Sequence, residues 1–87
     1  MPKIEKEITV KNKQGLHARP AALFVQTAAK FDSSVKIEKN SELVDGKSIM
    51  GILSLGAESG NKIKLIVEGE DANAAVDELK RILISGI

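Results

Sequence analysis

The chain has 87 residues, of which 43% are hydrophobic and 29% charged, a composition typical of one soluble folded domain. Its 13 basic and 12 acidic side chains leave a net charge of +1, which argues against a general nucleic-acid binder and against direct attraction to anionic membranes. There is no cysteine and only one histidine, so disulfides and thiolate metal sites are excluded and no metal or cofactor is expected. We therefore predict a single domain over residues 1–87.

The N-terminus gives no sign of export or membrane insertion. Residues 1–7 are largely charged and lack the apolar centre of a signal peptide. No apolar run approaches the roughly 18 residues of a membrane-spanning helix. The expected location is the cytoplasm.

The first half of the chain alternates between strand and helix patterns. Residues 4–10 alternate as a half-buried strand, and strands are also predicted over 35–38 and 43–44. The polar residues Asn12 to Gln14 predict a turn after the first strand. The helix that follows begins near His17 and carries apolar side chains at spacings of three and four. Its predicted buried stripe comprises Ala21, Phe24, Val25, Ala28 and Phe31, with Gln26, Thr27 and Lys30 on the polar side.

The second half adds two helices and one strand. Ser48 is a suitable N-cap for a short helix through Leu55, which Gly56 would end. Residues 62–68 alternate as a strand, and Asp71 is a plausible cap of the last helix. That helix has the most regular stripe in the chain, formed by Ala72, Ala75, Val76, Leu79, Ile82 and Leu83.

This order, βαββαβα, predicts an α+β fold. Four strands with one apolar face each, together with amphipathic helices, favour a four-stranded antiparallel sheet covered on one face by helices. The other face of the sheet would carry the alternating Lys and Glu side chains.

The segment Gly15-Leu16-His17-Ala18-Arg19-Pro20 is the main candidate for chemistry. Gly15 can adopt a positive φ, and Pro20 is tolerated in a first helical turn, so His17 should lie at or beside an N-cap. A helix start offers unpaired N–H groups and a partial positive charge to anions. Imidazole is a nucleophile near neutral pH, and the Arg19 guanidinium suits phosphate oxygens. These features together indicate a histidine that accepts a phosphoryl group. The alternative, a capping, surface or core histidine without chemistry, is more common for a lone His.

The short helix at 49–55 is apolar on nearly all sides. Ile52 and Leu55 can face the core together, but Ile49, Met50 and Leu53 then point elsewhere. We predict that some of these three form an exposed partner surface, although the whole helix could instead be buried.

Two separated motifs carry a family resemblance. Gly-Leu-His-Ala-Arg-Pro-Ala at 15–21, followed by Lys-Ser-Ile-Met-Gly at 47–51 and Ser-Leu-Gly at 54–56, resembles HPr, the histidine phosphocarrier of the bacterial sugar phosphotransferase system. The match extends over nearly the whole chain in length and element order. It implies an HPr-like open-faced β-sandwich in which the first two helices lie together, which would place His17 beside Ile49, Met50 and Leu53.

The resemblance also implies roles for individual residues. Enzyme I would transfer a phosphoryl group to Nδ1 of His17 and EIIA domains would accept it, so the chain is a carrier rather than an enzyme. Arg19 would stabilise the phosphate, while Gly15 and Pro20 would set the loop geometry. The predicted partner surface comprises Ala18, Ala22, Ile49, Met50 and Leu53. Because the carrier docks transiently and needs no stable dimer, a monomer is expected.

Ser48 carries a second hypothesis. Its segment resembles the regulatory serine segment of Gram-positive HPr, which implies phosphorylation by HPr kinase/phosphorylase and binding to a CcpA-like repressor. A phosphate at an N-cap is favoured by the helix dipole, so the fold should survive the modification. Helix capping alone is the simpler role.

Three competing interpretations remain. The nitrogen-branch carrier NPr shares the His motif, but the Ser48 segment favours the sugar branch. Crh, a regulatory relative, lacks the histidine, so the presence of His17 argues against a Crh-like protein. A small-ligand or RNA-binding module of similar element order is the third.

Overall fold

The predicted order of elements, βαββαβα, is the order found in the computed structural model, which describes residues 1–87. The strands are β1 (Lys3–Thr9), β2 (Ser34–Lys39), β3 (Glu42–Asp45) and β4 (Lys62–Glu68). The helices are α1 (Ala18–Ala29), α2 (Ile49–Leu55) and α3 (Ala72–Ser85). None of the three helices is long and apolar enough to cross a membrane.

The four strands form one antiparallel sheet in the order β1-β4-β2-β3. The register places Ile8 opposite Ile63, and Ile37 opposite both Leu65 and Val44. Because side chains alternate along a strand, this register directs Ile8, Ile37 and Leu65 to one face, where they are buried. The opposite face carries charged side chains, among which Lys64 lies 3.8 Å from a carboxylate oxygen of Glu5.

All three helices cover the apolar face, so the predicted open-faced α+β architecture is confirmed. Helix α3 packs on β1 and β4 and against α1, whereas α2 contacts β3 and α1. The core contains 20 buried apolar side chains, and Phe24 of α1 is the largest of those that are fully enclosed. Every member of the stripe predicted for α3 is buried.

The structure differs from the sequence prediction at Thr27 and refines it at Asp71. The sequence predicts Thr27 on the polar side of α1, but the residue is buried, because it faces α3 across a groove that Leu23 and Ile82 also line. Asp71 occupies the N-cap position of α3 but makes no capping hydrogen bond through its side chain. Its carboxylate instead accepts bonds from the Ser33 hydroxyl and from the backbone N–H groups of Asp32 and Ser33.

These bonds lower the pKa of Asp71. The largest contribution comes from the Ser33 hydroxyl and the next from the Asp32 backbone N–H, both of which favour the ionised carboxylate. Asp71 therefore ties the turn after α1 to the start of α3, two segments that are far apart in the sequence.

Candidate phosphate-accepting site at the start of helix α1

His17 is the N-cap residue of α1, as the sequence predicted. Its backbone is extended, with φ −126° and ψ 162°, and its side chain makes no capping hydrogen bond. His17 is half-buried as a residue, so it is neither enclosed in the core nor fully surrounded by solvent.

The start of α1 leaves backbone donors near this ring. The first helical bond runs from the Ala21 N–H to the His17 carbonyl, at 3.4 Å. Ala18 and Arg19 precede that bond and their N–H groups have no carbonyl one turn earlier to pair with, while Pro20 has no N–H to satisfy. The helix end therefore offers two N–H donors to a bound anion.

Arg19 is exposed and is the only charged residue of α1. It forms no salt bridge with any carboxylate of the chain. Pro20 beside it is buried and fixes the first turn against the protein. The guanidinium is consequently not paired with any carboxylate of the chain.

The loop before His17 is held by Gly15 and Leu16. Gly15 has φ +65°, and a Cβ atom at this position would lie 2.6 Å from the Ala57 carbonyl oxygen. Leu16 is fully buried, and its N–H donates to the same oxygen at 2.8 Å. The predicted geometric role of Gly15 thus has a structural basis, since the loop lies directly against the segment that follows α2.

Ala18 has φ +49°, a left-handed conformation that a residue with a Cβ rarely adopts. Such a conformation costs roughly 1–3 kcal/mol and persists where surrounding contacts impose it, often at functional sites. Nothing in the sequence pattern indicates this strain. The residue is exposed, directly after His17.

Helix α2 presents the predicted apolar surface. Ile49, Met50 and Leu53 are 40%, 73% and 41% exposed, whereas Ile52 and Leu55 are buried. The alternative in which the whole helix is sunk in the core is therefore wrong. Helices α1 and α2 are in contact, and Ala22 is half-buried on α1. The exposed side chains of α2 lie on the helix whose end supports the His17 loop.

Ser48 caps α2 as predicted. Its hydroxyl oxygen accepts a hydrogen bond from the Gly51 N–H at 3.1 Å, and the side chain is half-buried. Gly56 ends the helix in the left-handed conformation, with φ +64°. Lys39 adds a C-terminal contact, because its Nζ donates to the Gly56 carbonyl at 2.9 Å.

The sequence predicts the turn at Asn12 but not the burial of this residue. Asn12 is buried, and its Nδ2 donates to the Ile82 carbonyl at 3.3 Å while its Oδ1 accepts from the Gln14 N–H at 3.0 Å. It anchors the loop before His17 to the end of α3. The only signal in the sequence is that Asn12 is a polar residue shortly before the turn glycine Gly15. That signal does not identify the Ile82 carbonyl as the partner of the side chain.

The family model described as the phosphotransferase-system HPr component phosphorylation site matches residues 4–85. The chain belongs to the HPr family. Among its HPr-family relatives, the HPr-like protein Crh of Halalkalibacterium halodurans is 53% identical over 87% of this chain and 90% of the relative.

Solved structures of HPr-family members agree with the fold. HPr of Thermoanaerobacter tengcongensis is 54% identical, covers 92% of this chain and 90% of that one, and superposes with a TM-score of 0.88. A phosphocarrier protein HPr of Bacillus anthracis is 46% identical, covers 90% and 93% of the two chains, and gives a TM-score of 0.87. A structure of HPr from T. tengcongensis that is described as a dimer is 55% identical to this chain. The match covers 87% of each chain and gives a TM-score of 0.73.

Proposed function

We propose that this HPr-family chain accepts a phosphoryl group on Nδ1 of His17 from enzyme I and passes it to EIIA domains of a sugar phosphotransferase system. The observation that carries the proposal is the imidazole at the N-cap of α1, which makes no capping bond and is two residues before Arg19, a cation that forms no salt bridge. In this proposal residues 1–87 act as one domain in the cytoplasm, without a cofactor and as a protein substrate rather than an enzyme.

The transfer step uses groups that the site already presents. The lone pair of the imidazole nitrogen forms a bond to phosphorus while the bond from phosphorus to enzyme I breaks, and that electron pair returns to the leaving group. Negative charge on the phosphoryl oxygens is stabilised by the Arg19 guanidinium and by the N–H groups of Ala18 and Arg19. The same groups favour the reverse step, so the phosphoryl group can leave again for EIIA.

The test is incubation with phosphoenolpyruvate and enzyme I, followed by intact mass measurement and acid treatment. The unmodified protein should gain one acid-labile phosphate, and His17→Ala should gain none while it retains its unfolding midpoint. Arg19→Lys should slow transfer, because lysine keeps the charge but loses the planar pair of donors. Acid-labile phosphate in His17→Ala would contradict the assignment.

We also propose that Ser48 is a regulatory site that an HPr kinase/phosphorylase phosphorylates, with a CcpA-like repressor as the reader. The hydroxyl is half-buried at the N-cap of α2, where a phosphate would be stabilised by the helix dipole. The modification would add about −1.5 to −2 charge beside Ile49 and Met50, which are proposed, with Ala18, Ala22 and Leu53, to contact partners.

Ser48→Asp tests this switch. We expect it to slow phosphoryl transfer from enzyme I while the fold is retained. Ser54→Asp is the matched control, since Ser54 is exposed near the other end of the same helix. Equal rates in the two variants would contradict a specific role for Ser48.

The similarity to Crh supports a second candidate, a regulatory protein that acts through Ser48 alone. His17 favours the carrier function. If enzyme I phosphorylated no histidine but a serine kinase modified Ser48, the regulatory function would be preferred.

A further inference from the structure

We propose that Lys39 is a positioning residue for phosphoryl transfer, which acts on His17 through the end of α2 and does not touch the phosphate. This inference rests on the proposed phosphocarrier function and concerns what holds the acceptor in place. Lys39 is the last residue of β2 and is half-buried. Its side chain extends from the sheet to the end of α2.

The Lys39 ammonium group closes the C-terminal end of α2. Its Nζ donates to the Leu55 carbonyl at 3.4 Å and to the Gly56 carbonyl at 2.9 Å. Leu55 is the last helical residue and Gly56 is the C-cap, so neither carbonyl has a helical N–H one turn later to accept from. No backbone N–H of the following turn bonds to either carbonyl, and Lys39 is their only donor.

Gly56 is the point at which this turn can move. It has φ +64°, and no heavy atom lies within 4 Å of the position that a Cβ would take. A glycine in open space has a wide range of accessible conformations. Its N–H bond to the Leu53 carbonyl, at 3.3 Å, restrains the helical side of the residue. The bond from Lys39 to the Gly56 carbonyl is therefore the restraint on the side that leads to Ala57.

Ala57 connects this turn to the His17 loop. It is fully buried, and its carbonyl accepts the Leu16 N–H at 2.8 Å. Leu16 is also fully buried and directly precedes His17. The carbonyl that Lys39 binds and the carbonyl that binds the loop thus belong to consecutive residues. A rotation of the Gly56 peptide group would shift the acceptor of the Leu16 N–H and, with it, the backbone of His17.

The segment after Ala57 is fixed by other contacts. The Glu58 N–H donates to Oδ1 of Asn61 at 2.8 Å, and the Gly60 N–H donates to the Val10 carbonyl at 2.7 Å. These bonds do not involve Lys39. Loss of the lysine should therefore displace the turn before Ala57 while the rest of the segment keeps its fold.

The test compares Lys39→Met with two controls. Lys36→Met removes the same charge from an exposed position on the same strand. Asp71→Asn weakens the bonds to the turn after α1, so it lowers stability at a site that has no contact with the His17 loop. Each variant is mixed with excess phosphorylated enzyme I, and rapid quenching gives the transfer rate at saturation and the half-saturating concentration.

We expect Lys39→Met to lower the transfer rate at saturation about tenfold, because displacing a reacting group by about 1 Å can cost about a hundredfold in rate. The half-saturating concentration should not change. Amide hydrogen exchange at Leu16 should become faster in the same variant. Neither effect should appear in Lys36→Met or Asp71→Asn. Lys39→Arg keeps the donors and should restore both the rate and the protection of Leu16.

Several results would overturn the inference. A raised half-saturating concentration with an unchanged rate at saturation would show that Lys39 acts on docking. Faster exchange in α2 without a change at Leu16 or in transfer would show that Lys39 is only a helix cap. A Lys39→Arg rate as low as that of Lys39→Met would show that the donors are not the cause.

The two proposals fail in different ways. If the unmodified protein gains no phosphohistidine, the proposed function is wrong, and exchange at Leu16 still tests the link from Lys39 to the loop. If the unmodified protein is phosphorylated and Lys39→Met matches the controls in rate and exchange, only the positioning role is wrong.

Discussion

Substituting Gly15 by alanine tests whether the His17 loop is held by close backbone contact. The new Cβ would lie 2.6 Å from the Ala57 carbonyl oxygen and 2.8 Å from the Glu58 Cα, so one of the two backbones must move. Movement would break the 2.8 Å hydrogen bond from the Leu16 N–H to the Ala57 carbonyl. The variant should therefore lose both stability and the orientation of His17.

The magnitude follows from two costs. An alanine at φ +65° is unfavourable by roughly 1–2 kcal/mol, and loss of the Leu16 hydrogen bond adds about 0.5–1.5 kcal/mol. Reduced entropy of the unfolded chain offsets about 0.4–1 kcal/mol. We expect Gly15→Ala to lower the free energy of unfolding by about 0.5–3 kcal/mol.

Gly56→Ala is the matched control. Gly56 has nearly the same φ, +64°, but a Cβ there meets nothing within 4 Å. This variant should show the conformational cost alone. Equilibrium urea unfolding gives both values, and the rate of phosphorylation by enzyme I gives the effect on the site. If the two variants are equally stable, the Gly15 contact is unimportant and the argument fails.

Three further predictions concern individual contacts. Ala18→Gly should relieve the strain at φ +49° and keep or raise the free energy of unfolding measured in urea. Ala22→Gly in the same helix should lower this free energy by about 0.5–1 kcal/mol. Equal losses in the two variants would show that Ala18 is unstrained. Lys39→Met should remove the hydrogen bond from Nζ to the Gly56 carbonyl and accelerate amide hydrogen exchange in the last turn of α2. Lys36→Met is the control and should leave this exchange unaffected. Unchanged exchange in Lys39→Met would refute the capping role. Because the folded-state pKa of Asp71 is lowered, its carboxylate stabilises the fold above about pH 3.9 and loses this effect as the pH falls through the lowered pKa. Urea midpoints of the unmodified protein and Asp71→Asn should therefore converge in acid, and a difference that stays constant with pH would contradict this origin of the stability.

The periodic elements could be predicted because their patterns reflect local geometry. Helix α3 repeats its apolar side chains with the helical period, and the predicted stripe is the buried one. The exposed surface of α2 was also predictable, since Ile52 and Leu55 can face the core together only if Ile49, Met50 and Leu53 do not. The N-caps at His17 and Ser48 followed from glycine, proline and serine positions.

The features that the sequence does not show are contacts between segments far apart in the chain. The turn at Asn12 is predictable but its burial is not, because its partner, the Ile82 carbonyl, lies near the other end of the sequence. Asp71 is at the predicted N-cap position, but its bonds to Ser33 and Asp32 cannot be placed without the tertiary fold. The burial of Thr27 depends on the position of α3 against α1, which the local pattern does not give.

The position of His17 depends on two such tertiary anchors. Asn12 fixes the beginning of the loop to the end of α3, and Leu16 fixes its end to the segment after α2. Ala18, two residues after the second anchor and at the start of α1, adopts the left-handed conformation that surrounding contacts must hold in place. Since folding already orders this loop, a docking protein does not have to order it, and less binding energy is lost on association. A carrier that must release one partner and engage another benefits from such a loop, because the fold of the chain itself orders it.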